Sequence, residues 1–291
     1  PEILLSGHGK EWHTVALAGT MPMQDEVMPR LKAHFELRQI IHRTMITAGL
    51  PESMLAKRIE AWENALPPYL KLAYLPNPGA VRLRLSAYEV EGESVAREIE
   101  SRFEALRRII PHNIIGYETA TMQELVHKLL TERGLTLATA ESCTGGQIAA
   151  RITALSGASS VYRGGVVSYW TSVKAEVLGV PQTLLDQYGA VSEECARSMA
   201  ENARRITGAD IGLSVTGVAG PDPDERNNPV GLVYVGLASP DGTWCRKLEL
   251  GKRRRDRIQD LAANHAYDML RRCLTGLPVE QSGTGKHMEK L

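Results

Sequence analysis

The chain has 291 residues, 43% hydrophobic and 23% charged, a balance that excludes disorder as its main state and leaves room for two modest domains. Thirty-four basic side chains offset thirty-four acidic ones, so no global field draws the protein to nucleic acid or an anionic membrane, and any phosphate must be recognised locally. No apolar stretch approaches the roughly 20 residues of a membrane span. The four cysteines, Cys143, Cys195, Cys245 and Cys273, show neither CxxC nor zinc spacing, and the expectation is a soluble protein of a reducing cytoplasm.

In chain order, the apolar runs Ile3–Leu5 and Val15–Leu17 flank a Gly-containing turn and precede an Asp25-led stretch to Phe35. This reads as a hairpin plus a helix, too little for a core of its own. The chain opens at Pro1 directly on the strand-like run, so the expectation is a piece of a longer protein. Ile40–Thr47 then predicts a strand, and Pro51-Glu52 opens a helix on which Leu55, Ile59, Trp62 and Leu66 recur at helical spacing. Pro67-Pro68 stops it. Leu70, Leu72 and Tyr74 alternate up to the turn Pro76-Asn77-Pro78-Gly79, after which Val81, Leu83 and Leu85 alternate with Arg82, Arg84 and Ser86. A second amphipathic helix, marked by Val95, Ile99, Phe103 and Leu106, runs to Pro111. The order βαββα makes a small α+β domain with helices on one sheet face.

From Thr119 the texture becomes an amphipathic helix followed by alternating strands and helices up to Leu274. Strands are expected at Thr136–Ala140, Val161–Tyr169, Ile211–Thr216, Val230–Ala238 and Trp244–Leu250, giving a doubly wound or mixed α/β sheet. Residues 280–291 are polar, contain glycine and are expected to be disordered.

Three junctions carry chemistry. In Glu141-Ser142-Cys143-Thr144-Gly145-Gly146 an apolar strand ends in small hydroxyl and thiol residues and enters a helix through two glycines. Free N–H groups and the helix dipole would converge there on a phosphate, a carboxylate or a developing oxyanion, unless Ser142 or Thr144 merely caps the helix. The spacing is neither a G-x-x-x-x-G-K-[ST] loop nor G-x-G-x-x-G, so NTP and dinucleotide readings lose ground. At the second junction the strand ends near Tyr169, Thr171 or Ser172 caps the next helix, and Lys174 falls in its first turn. A cation at a helix N-terminus is disfavoured, so dipole and burial together would lower its pKa and let the amine take a proton from a serine. The third loop, Thr216-Gly217-Val218-Ala219-Gly220-Pro221, again follows an apolar strand. Three such loops at strand ends make a ligand crevice in an open α/β sheet, or else three ordinary connections. Arg253 and Arg257, four apart, share a helix face and either clamp a phosphate or form a solvated basic turn. A Ser-His-Asp triad lacks a histidine, since only His265 and His287 follow Gly134, and metal-ligand clusters are absent. Cys143, beside Ser142, stands as a rival nucleophile.

The motifs Ala140-Glu141-Ser142-Cys143-Thr144-Gly145-Gly146, Tyr169 to Lys174, Gly189-Ala190-Val191-Ser192, Thr216-Gly217-Val218-Ala219-Gly220-Pro221 and Pro229-Val230-Gly231 closely resemble the C-terminal domain of the CinA family, which includes stand-alone PncC nicotinamide-nucleotide amidases. The preceding unit, with His42-Arg43-Thr44 and Lys71-Leu72-Ala73-Tyr74-Leu75-Pro76, resembles the KH-like middle domain of the same family. The resemblance implies residues 1–37 as a remnant of a molybdopterin-binding-like domain, 38–117 as the KH-like α+β domain and 118–279 as a three-layer α/β amidase domain, followed by the tail 280–291. It implies hydrolysis of nicotinamide mononucleotide (NMN) to nicotinate mononucleotide and ammonia in NAD recycling. Ser142 then matches the nucleophile, Lys174 its base and Tyr169 an assisting hydroxyl. Glu141, Cys143, Thr144, Gly145 and Gly146 would surround the reacting amide, with Ser192, Thr216, Gly217, Gly220, Arg253 and Arg257 as substrate and phosphate contacts. No cofactor or metal is implied. Where the family reads Leu-Pro-Gly-Val-Pro, this chain has Leu17-Ala18-Gly19-Thr20-Met21-Pro22, so no pyrophosphatase activity is assigned. With no G-x-x-G loop and no basic aromatic stripe, the KH-like unit is expected to be a scaffold or dimer element rather than a nucleic-acid binder, and the protein a homodimer. The alternatives are a non-catalytic nucleotide-binding module and an amidase that uses Cys143.

Overall fold

Residues 2–6, 12–16, 40–77, 79–88 and 93–279 are described by a computed structural model. At the start, β1 (Glu2–Ser6) and β2 (Trp12–Ala16) form the expected antiparallel hairpin, with Glu2 opposite Ala16. The helix expected before Phe35 and the tail 280–291 lie outside the described residues.

The α+β unit runs β3 (Ile41–Ala48), α1 (Glu52–Asn64), β4 (Leu70–Asn77), β5 (Ala80–Ala87), α2 (Glu93–Ile109) and β6 (Ile114–Tyr117), with an antiparallel sheet in the order β4-β5-β3-β6. The alternation read from the sequence sets the faces. Met45, Leu83 and Leu85 point to one side and meet Leu55 and Ile59 of α1 and Ile99, Phe103 and Leu106 of α2 in one core. Strand β6 is an addition to the expected βαββα order. Its four residues are too few to show a period, and they become a strand by pairing with the edge of β3. On the opposite face Ile46, Ala48 and Ile115 pack against Met122 and Leu125 of the following helix, so an apolar seam joins this unit to the next.

That helix, α3 (Met122–Arg133), starts at a capping box in which Thr121 accepts from the Glu124 N–H and Glu124 accepts from the Thr121 N–H, and it ends at left-handed Gly134. There follow β7 (Leu137–Glu141), α4 (Gln147–Thr153), β8 (Tyr162–Val167), α5 (Thr171–Glu176), α6 (Gln182–Tyr188), α7 (Glu193–Thr207), β9 (Ile211–Gly217), β10 (Leu232–Ser239), β11 (Gly242–Glu249) and α8 (Arg255–Leu274). The sheet order is β11-β10-β9-β7-β8, parallel through β8, β7 and β9 and antiparallel through β10 and β11. The sheet is therefore mixed. Val126, Leu130, Ile148, Ile258, Tyr267 and Leu270 cover one face, and Leu178, Leu185, Cys195 and Met199 cover the other, which gives three layers.

Helix α7 lies unusually close to the sheet. A Cβ on Gly212 would stand 2.0 Å from the Ala200 carbonyl oxygen and one on Gly236 would stand 2.3 Å from that of Ala196, so only glycine admits the helix at this depth. At the seam between the domains, the Asp268 carboxylate accepts from Arg271 (2.7 Å), Arg272 (3.0 Å) and Arg246 (3.2 Å), while Arg271 also donates to the His112 carbonyl of the α+β unit. Burial by itself would raise the Asp268 carboxyl, but the three guanidiniums outweigh it and hold it at about 2. Among the described residues no helix is long and apolar enough to cross a membrane.

Candidate active site

The crevice opens at the C-terminal ends of the parallel strands β7 and β9, where helices leave on both faces of the sheet. Ser142, the residue after β7, is fixed on both sides: its N–H donates to the Val215 carbonyl (2.9 Å), and the Ser168 N–H donates to the Glu141 carbonyl (2.8 Å). The chain then reverses through Gly145 and Gly146, whose φ angles of 64° and 94° favour glycine.

The free helix N-terminus expected here is filled by Glu141. Its buried carboxylate accepts from the Thr144 hydroxyl (2.7 Å) and from the N–H groups of Gly146 (3.1 Å), Ile148 (3.0 Å) and Ala149 (2.8 Å). These are orphan donors of the first turn of α4, so they are not available to a substrate. Neither Ser142 nor Thr144 caps the helix; Gly146 is the N-cap residue and makes no side-chain cap. Beside Ser142, the N–H of Thr144 has no acceptor among the described residues, and that of Cys143 meets only its own thiol.

Lys174 reaches the same point from α5. Its amine lies 3.1 Å from Ser142 Oγ and donates to the Ser168 carbonyl oxygen (2.5 Å). The side chain is only 1% exposed, and no carboxylate pairs with it among the described residues. Burial therefore pushes the amine below the ordinary lysine range. Of the two causes expected, burial and the helix dipole, burial is the one that acts. Lys174 is the fourth residue of a six-residue helix whose N-cap is Trp170, with neither Thr171 nor Ser172 capping, so desolvation rather than a helix dipole acts on it. A neutral amine that donates one N–H to Ser168 keeps its lone pair for the Ser142 hydroxyl, as a serine nucleophile needs.

The crevice around this pair is a cavity of about 510 Å³. Cys143, Tyr169, Thr216, Gly217 and Gly220 line it as expected. The Thr216 hydroxyl, however, donates to the Ala190 carbonyl (2.6 Å). The Cys143 thiol is buried and desolvation pushes it up to about 12, so it stays protonated and makes a poor nucleophile beside Ser142. Tyr169 is half exposed, and its hydroxyl accepts from Arg255 rather than meeting Lys174.

Other expected contacts stand elsewhere. The Ser192 hydroxyl is spent locally, accepting from the Cys195 N–H (3.1 Å) as the N-cap of α7 and donating to the Gly189 carbonyl (2.9 Å). Glu141, Thr144, Gly145 and Gly146 shape the turn without lining the cavity. Arg253 donates from Nε to the Leu250 carbonyl and faces a different cavity, and Arg257 is exposed on α8. The cation at the crevice is Arg255, the first residue of α8, which donates to the Gly220 carbonyl (2.6 Å) as well as to Tyr169. The i,i+4 spacing of Arg253 and Arg257 passed over it, and the helix start decides which arginine turns inward. Arg226 also lines the crevice, but its guanidinium is consumed by the Leu185, Asp186 and Gln187 carbonyls at the end of α6. Among the described residues no group of histidines, cysteines or carboxylates could hold a metal ion.

Residues 119–274 match the CinA C-terminal domain, and residues 42–116 match the damage-inducible protein CinA KH domain. A CinA-like protein of Flavobacterium psychrophilum is 42% identical over 249 residues, covering 85% of this chain and 59% of the relative. A CinA-like protein of Cytophaga hutchinsonii is 39% identical over 252 residues, covering 87% and 60%. The chain thus spans about three-fifths of the length of these relatives. The crystal structure of the competence damage-inducible protein A (ComA) from Klebsiella pneumoniae, 32% identical, superposes on 53% of this chain and 95% of that one with a TM-score of 0.51. With both domain types matched in this order and the Ser142–Lys174 junction inside the second, the chain belongs to the CinA family.

Proposed function

We propose that the C-terminal domain is a serine amidase that hydrolyses the carboxamide of NMN to nicotinate mononucleotide and ammonia. The observation that carries this reading is the buried, unpaired Lys174 amine 3.1 Å from Ser142 Oγ at the floor of an open crevice. Ser142 Oγ attacks the amide carbon while its proton passes to Lys174 Nζ. The resulting oxyanion is met by the N–H groups of Cys143 and Thr144. Collapse breaks the C–N bond, and the proton held on Lys174 leaves with the nitrogen as ammonia. Water then attacks the acyl-serine, giving its proton to Lys174, and the carboxylate departs as the serine is reprotonated. Serine and lysine end as they began, because the serine proton that leaves in ammonia is replaced by one from water, and the balance is amide plus water to acid plus ammonia.

The phosphate requires a cation at the mouth, and Arg255 is placed for it, braced by Tyr169 and Gly220. Tyr169 thereby positions the phosphate anchor. Arg255→Ala is expected to raise KM for NMN by about tenfold to a hundredfold, consistent with losing one charge-assisted contact. The same change should leave hydrolysis of the phosphate-free riboside unaltered. Equal losses on both substrates would remove Arg255 from phosphate recognition.

The primary test is ammonia release from NMN with EDTA present, comparing wild type with Ser142→Ala. Turnover by wild type and a loss of about 10³-fold or more in the variant is the expected result. An unimpaired variant would exclude serine catalysis, and tight NMN binding without turnover by wild type would replace the amidase with a nucleotide-binding module.

A further inference from the structure

A second cavity, of about 420 Å³, lies between the two domains and is separate from the crevice. Its walls come from the β3–α1 connection, the β4–β5 hairpin, the β11–α8 connection and one face of α8. Leu50, Val81, Leu250 and Leu261 make it largely apolar. Among its polar side chains, two offer donors to an occupant. His265 makes no hydrogen bond among the described residues, and burial, reinforced by the nearby Arg246 and opposed by Asp268, pushes its imidazole down to about 4. It is therefore neutral at neutral pH, with one N–H donor and one lone pair to offer. Arg253 is exposed at the rim and uses only Nε, toward Leu250, so both Nη groups lack an acceptor among the described residues. Of the carboxylates that line the cavity, Asp268 is saturated by three arginines and Glu249 is held by Lys247 at 2.7 Å, leaving Glu52 exposed at the edge.

We propose that this seam cavity is a second small-molecule site that takes an aromatic or heteroaromatic anion, its ring between the Leu50, Val81, Leu250 and Leu261 side chains, its polar edge on His265 and its anionic group on Arg253. The volume lies within the roughly 300–1,000 Å³ of small-ligand sites, which concentrate at domain junctions. Surplus donors together with apolar walls select a flat anion over a neutral sugar or a cation. An occupant would tie α8 to the β4–β5 hairpin, where Gly79 already packs so closely that a Cβ would stand 2.8 Å from that of Asn264. The same helix carries Arg255 at its N-terminus, and its Gln259 amide donates to the Cys143 carbonyl (2.8 Å), so the two cavities share one element.

The probe is 8-anilinonaphthalene-1-sulfonate, a fluorescent aromatic monoanion, titrated into the whole chain at neutral pH. The expected result is a saturable one-to-one component that Arg253→Glu weakens tenfold or more, that Leu261→Trp abolishes by filling the space, and that Arg255→Glu in the other cavity leaves unchanged. Because Arg253 is exposed, its substitution tests the site even where Leu261→Trp fails to fold, and melting curves identify that case. No saturable component, a component indifferent to Arg253→Glu, or one lost with Arg255→Glu would overturn the proposal. None of these readouts depends on amidase activity, so the two readings fail separately.

Discussion

Lys174→Met is expected to lower the rate of NMN hydrolysis by about 10³-fold or more, because it removes the base that deprotonates Ser142 and later protonates the departing nitrogen. The pH dependence makes this specific. A lysine lowered by burial is neutral, and competent as a base, from a pH below the usual 10.5 upward, so wild-type activity should rise with pH through an acid limb whose midpoint lies under that value. Stability follows the same proton. The folded pKa lies below the unfolded one, so between the two the unfolded chain binds more protons, and stability rises with pH across that window. The burial penalty is present in full below the folded pKa and is gone above about 10.5. Urea denaturation of wild type and Lys174→Met at a series of pH values should show wild type gaining on the variant as pH rises toward 10.5. A difference that is flat in pH would mean that Lys174 is charged in the folded protein, which would remove it as the base.

Glu141→Ala should be the most damaging single change to the fold of the site. It deletes the acceptor for three backbone N–H groups and one hydroxyl, two of these hydrogen bonds buried and two part-buried. Each buried donor left unsatisfied costs roughly 1–3 kcal/mol, so a loss of about 3 kcal/mol or more is expected by chemical denaturation. Glu141→Gln should fall between. Its single oxygen can serve Thr144, Gly146 and Ile148, but its NH₂ then faces the Ala149 N–H, which the second carboxylate oxygen now accepts at 2.8 Å. Amide hydrogen exchange provides the local readout, with Ile148 and Ala149 losing protection before the strands do. Unchanged protection in Glu141→Ala would show that α4 is held by its packing alone. Catalysis should fall with the cap, since the turn it holds carries Ser142 and the N–H groups of Cys143 and Thr144.

Much of this was legible along the chain because it is periodic or local. The alternation of Val81, Leu83 and Leu85 with Arg82, Arg84 and Ser86 fixed which face of β5 meets the helices, and the 3.6-residue recurrence of Leu55, Ile59 and Trp62 fixed the buried face of α1. Gly145 and Gly146 marked the turn after Ser142 for the same reason, since positive φ is a local requirement. Strand β6 escaped because four residues carry no period and its identity comes from a partner far away in sequence. Arg255 escaped because helical spacing states which residues share a face but not which face turns toward the crevice.

The sequence by itself determined the element order, the two-domain division by texture and the residue types gathered at three strand ends. Those follow from backbone geometry and hydrophobic period, which act over a few residues. Only the tertiary structure decided the roles within that set: that Glu141 fills the helix N-terminus instead of leaving it to a ligand, that Ser192 and Thr216 spend their hydroxyls on carbonyls, and that Lys174 meets Ser142 with no counter-ion among the described residues. The physical reason is that a donor's availability and an amine's charge depend on what else surrounds them, and those neighbours lie 7 positions away for Glu141 and Ile148 and 32 for Lys174 and Ser142. Composition placed no net charge on this protein; folding set the chemistry of the site by burying Lys174 beside Ser142 with no carboxylate paired to it among the described residues.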